Sequence, residues 1–278
     1  MKSRSCSLER LHGGDIGESY RATLSKGDLV FVKAYRSGGG AIEQSEARGL
    51  AWLRRANAIR VPEVIAVSDN QTGPHFLILE HLVSSARSPN YDEALGRGLA
   101  KLHAAGPEHF GAEADGYIGP LPQQNRPGDS WVDFYRTQRL GPLIELARSQ
   151  GHLSAKASAP LDHLLDTLEE FVGPKEPPAR LHGDLWSGNQ LVGPHGEPCL
   201  IDPAAYAGHR EVDLAMMRLF GGYSAHVFDS YNEAFPLALG HEKRVALYQL
   251  YPLLVHLVLF GAGYESAVLR AAQDTLAS

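Results

Sequence analysis

The most informative part of the sequence is RLHGDLWSGN at residues 180–189, followed by CLIDP at residues 199–203. Asp184 and Asn189 are five positions apart, and Asp202 ends an apolar run that predicts a short strand. Phosphoryl transfer to a hydroxyl group requires one carboxylate that orients the nucleophile and accepts its proton. It also requires an Asn and a second Asp that hold magnesium on the nucleotide phosphates. The spacing of these three residues therefore indicates phosphoryl transfer.

Two upstream residues support this interpretation. Lys33 ends the predicted strand at residues 29–33, on a face that it shares with apolar side chains, so its ammonium would project toward a bound phosphate. Glu46 falls on the apolar stripe of the next predicted helix, at residues 42–56, where a carboxylate without a cationic partner would be costly to bury. We therefore expect an ion pair between Lys33 and Glu46.

Two further segments fit a nucleotide site less specifically. A turn with Gly13 and Gly14 precedes Lys33 and could offer backbone N–H groups to phosphate oxygens, although it matches neither GxGxxG nor a Walker loop. The second segment, at the end of a predicted strand, consists of Glu80, His81 and Leu82, whose backbone groups could face the edge of an adenine. Read alone, the first segment is a simple turn, and a buried strand with a linker explains the second equally well.

Patterning along the chain predicts two lobes. Residues 1–82 contain short predicted strands, turns and one helix, which indicates a small sheet of about five strands. Residues 83–278 have mostly helical periodicity, interrupted at 106–128 and 173–203. A chain of 278 residues is also long for one compact domain. We predict an α+β, bilobal fold with a five-stranded antiparallel sheet lobe, a larger mostly helical lobe and a boundary near Leu82.

Composition narrows the class of protein. With 26 basic and 32 acidic residues the net charge is −6, which argues against nucleic-acid binding, since that function favours a basic face. No apolar segment follows the N-terminal MKSRSCSLER, and the longest apolar stretch, residues 251–263, falls short of the about 20 residues that a membrane span needs. The two cysteines, Cys6 and Cys199, form no disulfide framework. We expect a cytoplasmic protein that binds neither nucleic acid nor membrane.

The whole chain resembles the fructosamine kinase (ketosamine-3-kinase) family, relatives of aminoglycoside and choline kinases with a protein-kinase-like fold. Six motifs carry the resemblance: GGDI at 13–16, FVK at 31–33, EARGL at 46–50, HGDLWSGN at 182–189, IDPA at 201–204 and GHREVDLAM at 208–216. His-Gly-Asp with a downstream Asn is shared by many small-molecule kinases. The LWSGN extension and the GHREVD run are much more specific motifs, and they identify this family within the larger superfamily.

The resemblance implies a role for each matching residue. Asp184 would be the catalytic base, and Asn189 and Asp202 would be the magnesium ligands. Lys33, paired with Glu46, would bind the phosphates of ATP. The glycine turn would cover the phosphates, and residues 80–82 would form the adenine hinge.

Other residues in or near these motifs have less direct roles. Trp186 would be a platform for the sugar, or else a core aromatic that anchors the loop. Asn125 matches a family position near the acceptor cleft. Asp213 and His182 are expected to hold the catalytic loop through backbone hydrogen bonds, and His103 is expected to be a packing histidine.

The implied cofactors are ATP and Mg²⁺, and the implied substrate is a small-molecule or protein-bound ketosamine (a ribulosamine, erythrulosamine or fructosamine). Phosphorylation of the sugar O3 would make the adduct fall apart, which would free the amine and so remove the glycation. Several family members form disulfide-linked dimers through a cysteine in the glycine-rich turn. Residues 13–19 contain none, so we expect a monomer. The alternatives are a kinase for another small hydroxyl compound (an aminoglycoside, choline or a methylthio-sugar) and a nucleotide-binding regulator without turnover.

Overall fold

The computed structural model describes residues 7–11, 17–35, 41–69 and 74–278. Its first part is an antiparallel five-stranded sheet with the strand order β1-β2-β3-β5-β4. The strands are β1 (Ser7–Leu11), β2 (Glu18–Thr23), β3 (Leu29–Tyr35), β4 (Val64–Val67) and β5 (His75–Glu80), and helix α1 (Ile42–Arg54) connects β3 to β4. Within the described ranges of residues 1–82, this sheet and one helix confirm the predicted architecture of the smaller lobe.

Strand β3 lies at the centre of the sheet and carries Lys33. Lys33 pairs with Ser19 of β2 on one side and with Leu77 of β5 on the other. The strand runs two residues past Lys33, to Tyr35, whereas the sequence pattern ends it at Lys33. Because side chains alternate along a strand, Phe31, Lys33 and Tyr35 share one face. Strands on both sides therefore fix the backbone from which the ammonium of Lys33 projects.

The rest of the chain is mostly helical, as predicted. The helices are α2 (Tyr91–Ala104), α3 (Trp131–Tyr135), α4 (Gly141–Ser149), α5 (Ala155–Asp166), α6 (Glu211–Phe220), α7 (Ala225–Ala234), α8 (His241–Phe260) and α9 (Glu265–Leu276), and a π-helical turn, Arg136–Leu140, joins α3 to α4. Short antiparallel pairs are formed by β6 (Gly116–Ile118) with β7 (Leu121–Gln123), β8 (Ala179–Leu181) with β11 (Tyr206–Gly208), and β9 (Gln190–Val192) with β10 (Pro198–Leu200). Among the described residues, no helix is both long enough and apolar enough to cross a membrane.

Two hydrophobic clusters make up the core of the part of the chain that the structure describes. One lies among the helices of the larger lobe and includes Tyr135, Leu164 and Leu254. The other includes Leu53 of α1 and Leu99 of α2, so it continues across residue 82 from the sheet side to the helical side. The chain changes from sheet to helix near Leu82, but the packing there is shared, and the boundary at Leu82 stays a prediction.

Candidate active site

A cleft of about 930 Å³ is lined by residues from both the sheet and the helical lobe. This is within the size range of small-molecule and cofactor sites. Nine of the residues predicted from the sequence line it: Lys33, Glu46, Glu80, His81, Leu82, Asp184, Trp186, Asn189 and Asp202. Gly13 and Gly14 lie outside the described residues.

The predicted ion pair between Lys33 and Glu46 is present. Nζ of Lys33 donates to Oε1 of Glu46 at 2.8 Å and also to Oδ1 of Asp202 at 2.5 Å. The Lys33 and Glu46 side chains are only 13% and 11% exposed. Burial disfavours the ammonium, but the carboxylates of Glu46 and Asp202 outweigh it, and the pKa of Lys33 is raised. Lys33 therefore stays charged at the base of the cleft.

Tyr35 is a member of this cluster that the sequence analysis missed. Its hydroxyl donates to Oε2 of Glu46 at 2.7 Å, so each oxygen of the Glu46 carboxylate has its own donor. Burial, followed by the charge of Glu46, raises the pKa of Tyr35, which keeps the phenol protonated. The available signal was its position two residues after Lys33, on the same face of β3. Tyr35 thus fixes the carboxylate that fixes Lys33.

The loop between β8 and β9 presents Asp184 and Asn189 together. Nδ2 of Asn189 donates to the backbone oxygen of Asp184 at 2.8 Å and to its Oδ2 at 3.0 Å. The backbone closes the same turn, because N of Asn189 donates to O of Trp186 at 3.0 Å. Asp202 has φ 55°, a left-handed conformation that non-glycine residues rarely adopt and that clusters at functional sites. The site is therefore built from tightly constrained backbone.

Asp213 holds this loop from below, as predicted. Its carboxylate accepts from N of His182 at 2.7 Å and from N of Gly183 at 2.9 Å, and it lies 3.2 Å from Nε2 of His103. Burial would raise the pKa of Asp213, but His103 and the other donors outweigh burial and lower it. Nε2 of His182 lies 2.8 Å from O of Ile201, which ties the loop to the segment that carries Asp202.

The side chain of Glu80 is engaged by other groups of the protein. Its carboxylate pairs with Arg60, and it accepts from N of Glu63 at 3.2 Å. Arg60 also reaches Oε1 of Glu197, beyond β9, at 3.2 Å. A contribution of Glu80 to nucleotide binding would therefore come from its backbone, in line with the predicted hinge at residues 80–82.

The two predicted substrate residues have different surroundings. Trp186 is 38% exposed and lines the cleft, so it is not a core aromatic. Asn125 is 2% exposed and is not among the residues that line the cleft. Its Oδ1 accepts from Nη2 of Arg139 at 2.7 Å, which commits the side chain to the interior of the larger lobe. The structure brings Trp186 to the cleft, whereas Asn125 is buried and does not line it.

The oxygen donors in the cleft fit magnesium. Magnesium is usually held by one or two carboxylates together with substrate phosphates, while water completes its shell. Asp202 provides one carboxylate, which is 35% exposed. Asn189 uses its amide nitrogen on Asp184, so its Oδ1 is the atom that could face a cation. Within the described residues, no cluster of three or more His, Cys, Asp or Glu could hold a metal ion.

Comparison with known proteins places the chain in a family. The fructosamine kinase family model matches residues 2–278. A protein from Arabidopsis thaliana named "Protein-ribulosamine 3-kinase, chloroplastic" is 38% identical over 251 residues, which are 88% of this chain and 76% of that protein. A protein from Synechocystis named "Probable ketoamine kinase" is 38% identical over 256 residues, 91% of this chain and 84% of that protein.

Solved structures support the same conclusion. The crystal structure of a "putative fructosamine-3-kinase" from Thermobifida fusca has a TM-score of 0.90 and 40% identity, covering 99% of this chain and 95% of that one. An aminoglycoside phosphotransferase in complex with AMP-PNP and hygromycin B has a TM-score of 0.64 at 17% identity, covering 99% and 93%, which shows a shared fold alone. The bilobal, protein-kinase-like fold is thus confirmed. The chain belongs to the fructosamine kinase family and is a phosphotransferase that acts on a hydroxyl group.

Proposed function

We propose that this enzyme uses ATP and Mg²⁺ to phosphorylate the sugar O3 of a ketosamine (a ribulosamine, erythrulosamine or fructosamine adduct). The observation that supports the proposal is that two sets of polar residues lie in the same cleft. Lys33, Glu46 and Asp202 form a charged cluster, and Asp184 and Asn189 form the hydrogen-bonded turn that lines the same cleft. Phosphoryl transfer depends almost entirely on positioning and on charge stabilisation, and these residues supply both.

The nucleotide would lie between the sheet and the catalytic loop. Lys33 would hold the phosphates, and Glu46 and Tyr35 would keep its ammonium in place. Backbone groups of residues 80–82 would face the adenine, and Gly13 and Gly14 would cover the phosphates. Asp202 and Oδ1 of Asn189 would hold magnesium, which when bound neutralises charge on the transferring phosphoryl group.

Asp184 would act on the acceptor. Its carboxylate would orient the O3 hydroxyl and accept its proton as O3 forms a bond to the γ-phosphorus and the bond to the β–γ bridging oxygen breaks. The products would be ADP and the ketosamine 3-phosphate. Enolisation between C1 and C2 would then expel phosphate from C3, and water would cleave the resulting imine and free the amine. The consequence would be deglycation of an amine or a protein.

The lining of the cleft bears on the alternative acceptors. An aminoglycoside is a polycation, so its site calls for carboxylates beyond those used in catalysis. In the part of the chain that the structure describes, the acidic residues lining the cleft are Glu46, Glu80, Asp184 and Asp202, all of which have other partners or roles. A regulator without turnover would not need the complete catalytic set, which consists of Lys33, Glu46, Asp184, Asn189 and Asp202. Cytoplasmic location, a monomeric state and the absence of nucleic-acid or membrane binding stay predictions from the sequence.

An acceptor screen tests the proposal. ATP consumption would be measured with ribulosyl-lysine, fructosyl-lysine, an aminoglycoside and choline under the same conditions. We expect turnover with a ketosamine and none with the other two compounds. Turnover only with choline or the aminoglycoside would overturn the proposed substrate class.

A further inference from the structure

Two exposed aromatic residues, Phe220 and Phe260, line the cleft but have no part in the chemistry proposed above. They are 42% and 61% exposed. Each is the last residue of its helix, α6 or α8, and each is followed by a glycine with positive φ, 70° at Gly221 and 88° at Gly261. Glycine adopts this conformation readily and ends a helix at once. Two helix ends therefore deliver the two rings to the same cleft.

A third ring joins Phe220 to Phe260. The ring of His256 lies 4.9 Å from that of Phe220 and 5.4 Å from that of Phe260, between centroids. Nδ1 of His256 lies 2.7 Å from O of Pro252, one turn earlier on α8, and this contact orients the ring. We call Phe220, His256 and Phe260 the aromatic wall. Tilted contacts of this kind stabilise a fixed arrangement of rings, so the wall is one surface and not a set of isolated side chains.

The aromatic wall is surrounded by uncharged lining. Val255 and Leu259 of α8 line the cleft beside it, and Ile118 and Pro120 line it from the segment around β6 and β7. Among the described residues, the Lys, Asp and Glu side chains in the lining are Lys33, Glu46, Glu80, Asp184 and Asp202, and no Arg lines the cleft. These belong to the nucleotide, catalytic or hinge groups. Exposed apolar surface that adjoins an active site is typical of a ligand-binding region.

We propose that the aromatic wall binds the substituent on the ketosamine nitrogen and selects substituents that are apolar or aromatic. This inference rests on the proposed function. A ketosamine has a polar sugar and a substituent on its nitrogen. The O3 of the sugar must reach Asp184, so the substituent must extend away from it along the residues that line the cleft. The sugar gains little from an apolar surface, whereas an apolar substituent buries area against it. A zwitterionic substituent, such as that of free lysine, finds no Lys, Arg, Asp or Glu side chain on the wall with which to pair.

The test compares two adducts that differ only in this substituent. The ribulose adducts of benzylamine and of ethanolamine would be supplied to the enzyme with ATP and Mg²⁺, and kcat/KM would be measured for each. We expect a preference of about tenfold for the benzylamine adduct, the size that a modest apolar contact gives. Because both values come from the same enzyme sample, their ratio does not depend on the fraction that is folded.

Variants locate the preference on the wall. Phe220→Ser and Phe260→Ser should each reduce the ratio toward one, mainly by slowing the benzylamine adduct. Leu239→Ser is the matched control, because Leu239 is 97% exposed and is not among the residues that line the cleft, and it should keep the wild-type ratio. Equal use of both adducts by the wild type, or an unchanged ratio in both Phe variants, would overturn this inference but not the proposed function. If the acceptor screen shows turnover with fructosyl-lysine but not with ribulosyl-lysine, the fructose adducts of the two amines are compared instead. Phosphorylation of no ketosamine at all would overturn the proposed function and this inference with it.

Discussion

Nζ of Lys33, at the centre of the sheet, lies 2.5 Å from Oδ1 of Asp202, which stands 169 positions later in the chain. This contact joins the sheet to the catalytic segment directly. Both residues are proposed to contact ATP or its magnesium, so binding would give each a new partner. Lys33 would exchange Asp202 for phosphate oxygens, whereas its contact with Glu46 would be kept. The Lys33–Asp202 contact is therefore the part of the cluster that nucleotide binding would change.

The first prediction concerns Lys33→Met. The substitution leaves Glu46 buried without its cation, and breaking such a buried pair costs about 3 kcal/mol in the free energy of unfolding. Turnover should also be lost, because the phosphates lose their lysine. Urea unfolding and ATP-dependent turnover measure the two effects separately.

The double variant Lys33→Met/Glu46→Gln is the control for this prediction. Since it no longer buries an unpaired carboxylate, it should recover part of the lost stability while turnover stays low. Wild-type turnover in Lys33→Met would contradict the role of Lys33 in binding phosphate. Equal stability of the single and double variants would contradict the account of the pair.

The second prediction concerns Tyr35→Phe. This change removes the donor to Oε2 of Glu46 and should lower the free energy of unfolding by about 1–2 kcal/mol. The KM for ATP should rise several-fold, with a smaller effect on kcat, because Tyr35 acts through Glu46 and Lys33. Tyr20→Phe is the matched control: Tyr20 makes a similar bond to Glu18 in β2 but does not line the cleft. An equal rise in the KM for ATP in both variants would show that Tyr35 has no specific role.

The third prediction concerns Gly188→Ala. A Cβ at Gly188 would lie 2.1 Å from Cη2 of Trp186, so the indole would have to move from its place over the loop. If Trp186 is the sugar platform, the KM for the ketosamine should rise about tenfold while the KM for ATP stays unchanged. Gly128→Ala is the matched control, since a Cβ there meets no atom within 4 Å. An unchanged ketosamine KM in Gly188→Ala would argue against Trp186 as a sugar contact.

The fourth prediction concerns pH. Burial lowers the pKa of His209 to about 4, whereas an unfolded histidine titrates near 6.5. Between these values the unfolded chain binds more protons than the native one, so stability must fall as the pH falls. From about pH 7 to about pH 5 this residue should remove about 2 kcal/mol. Urea unfolding at both pH values should show a smaller loss for His209→Asn than for the wild type, and equal losses would contradict a buried neutral His209.

Sequence reasoning succeeded where one local pattern defined the position of a side chain. The strand period placed Lys33 on the cleft face, and the helical period turned Glu46 inward, so their contact followed from the cost of burying an unpaired carboxylate. The spacing of Asp184 and Asn189 likewise described one loop. In each case the deciding residues are close in sequence or belong to neighbouring elements.

Other features depend on tertiary packing that no local pattern reveals. Phe220 and Phe260 both contact the ring of His256 because two helices end at the same cleft, and the buried side chain of Asn125 is bound by Arg139 from the π-helical turn. The sequence pattern gives no bounds for strand β1, because four of its five residues are exposed and it lacks apolar alternation. Tyr35 was missed although its position was readable, since a tyrosine on a strand is most often a packing residue.

The most direct test of the central claim is the site and rate of phosphorylation in the wild type and in Asp184→Asn. Each enzyme would receive ribulosyl-lysine, ATP and Mg²⁺, and the phosphorylated product would be followed by ³¹P NMR. The account predicts phosphate on the sugar O3 with the wild type. With Asp184→Asn, the rate of phosphorylation should be about 10²–10⁴-fold lower, while ATP should still bind. Phosphate on another position, or near-normal turnover in Asp184→Asn, would contradict it.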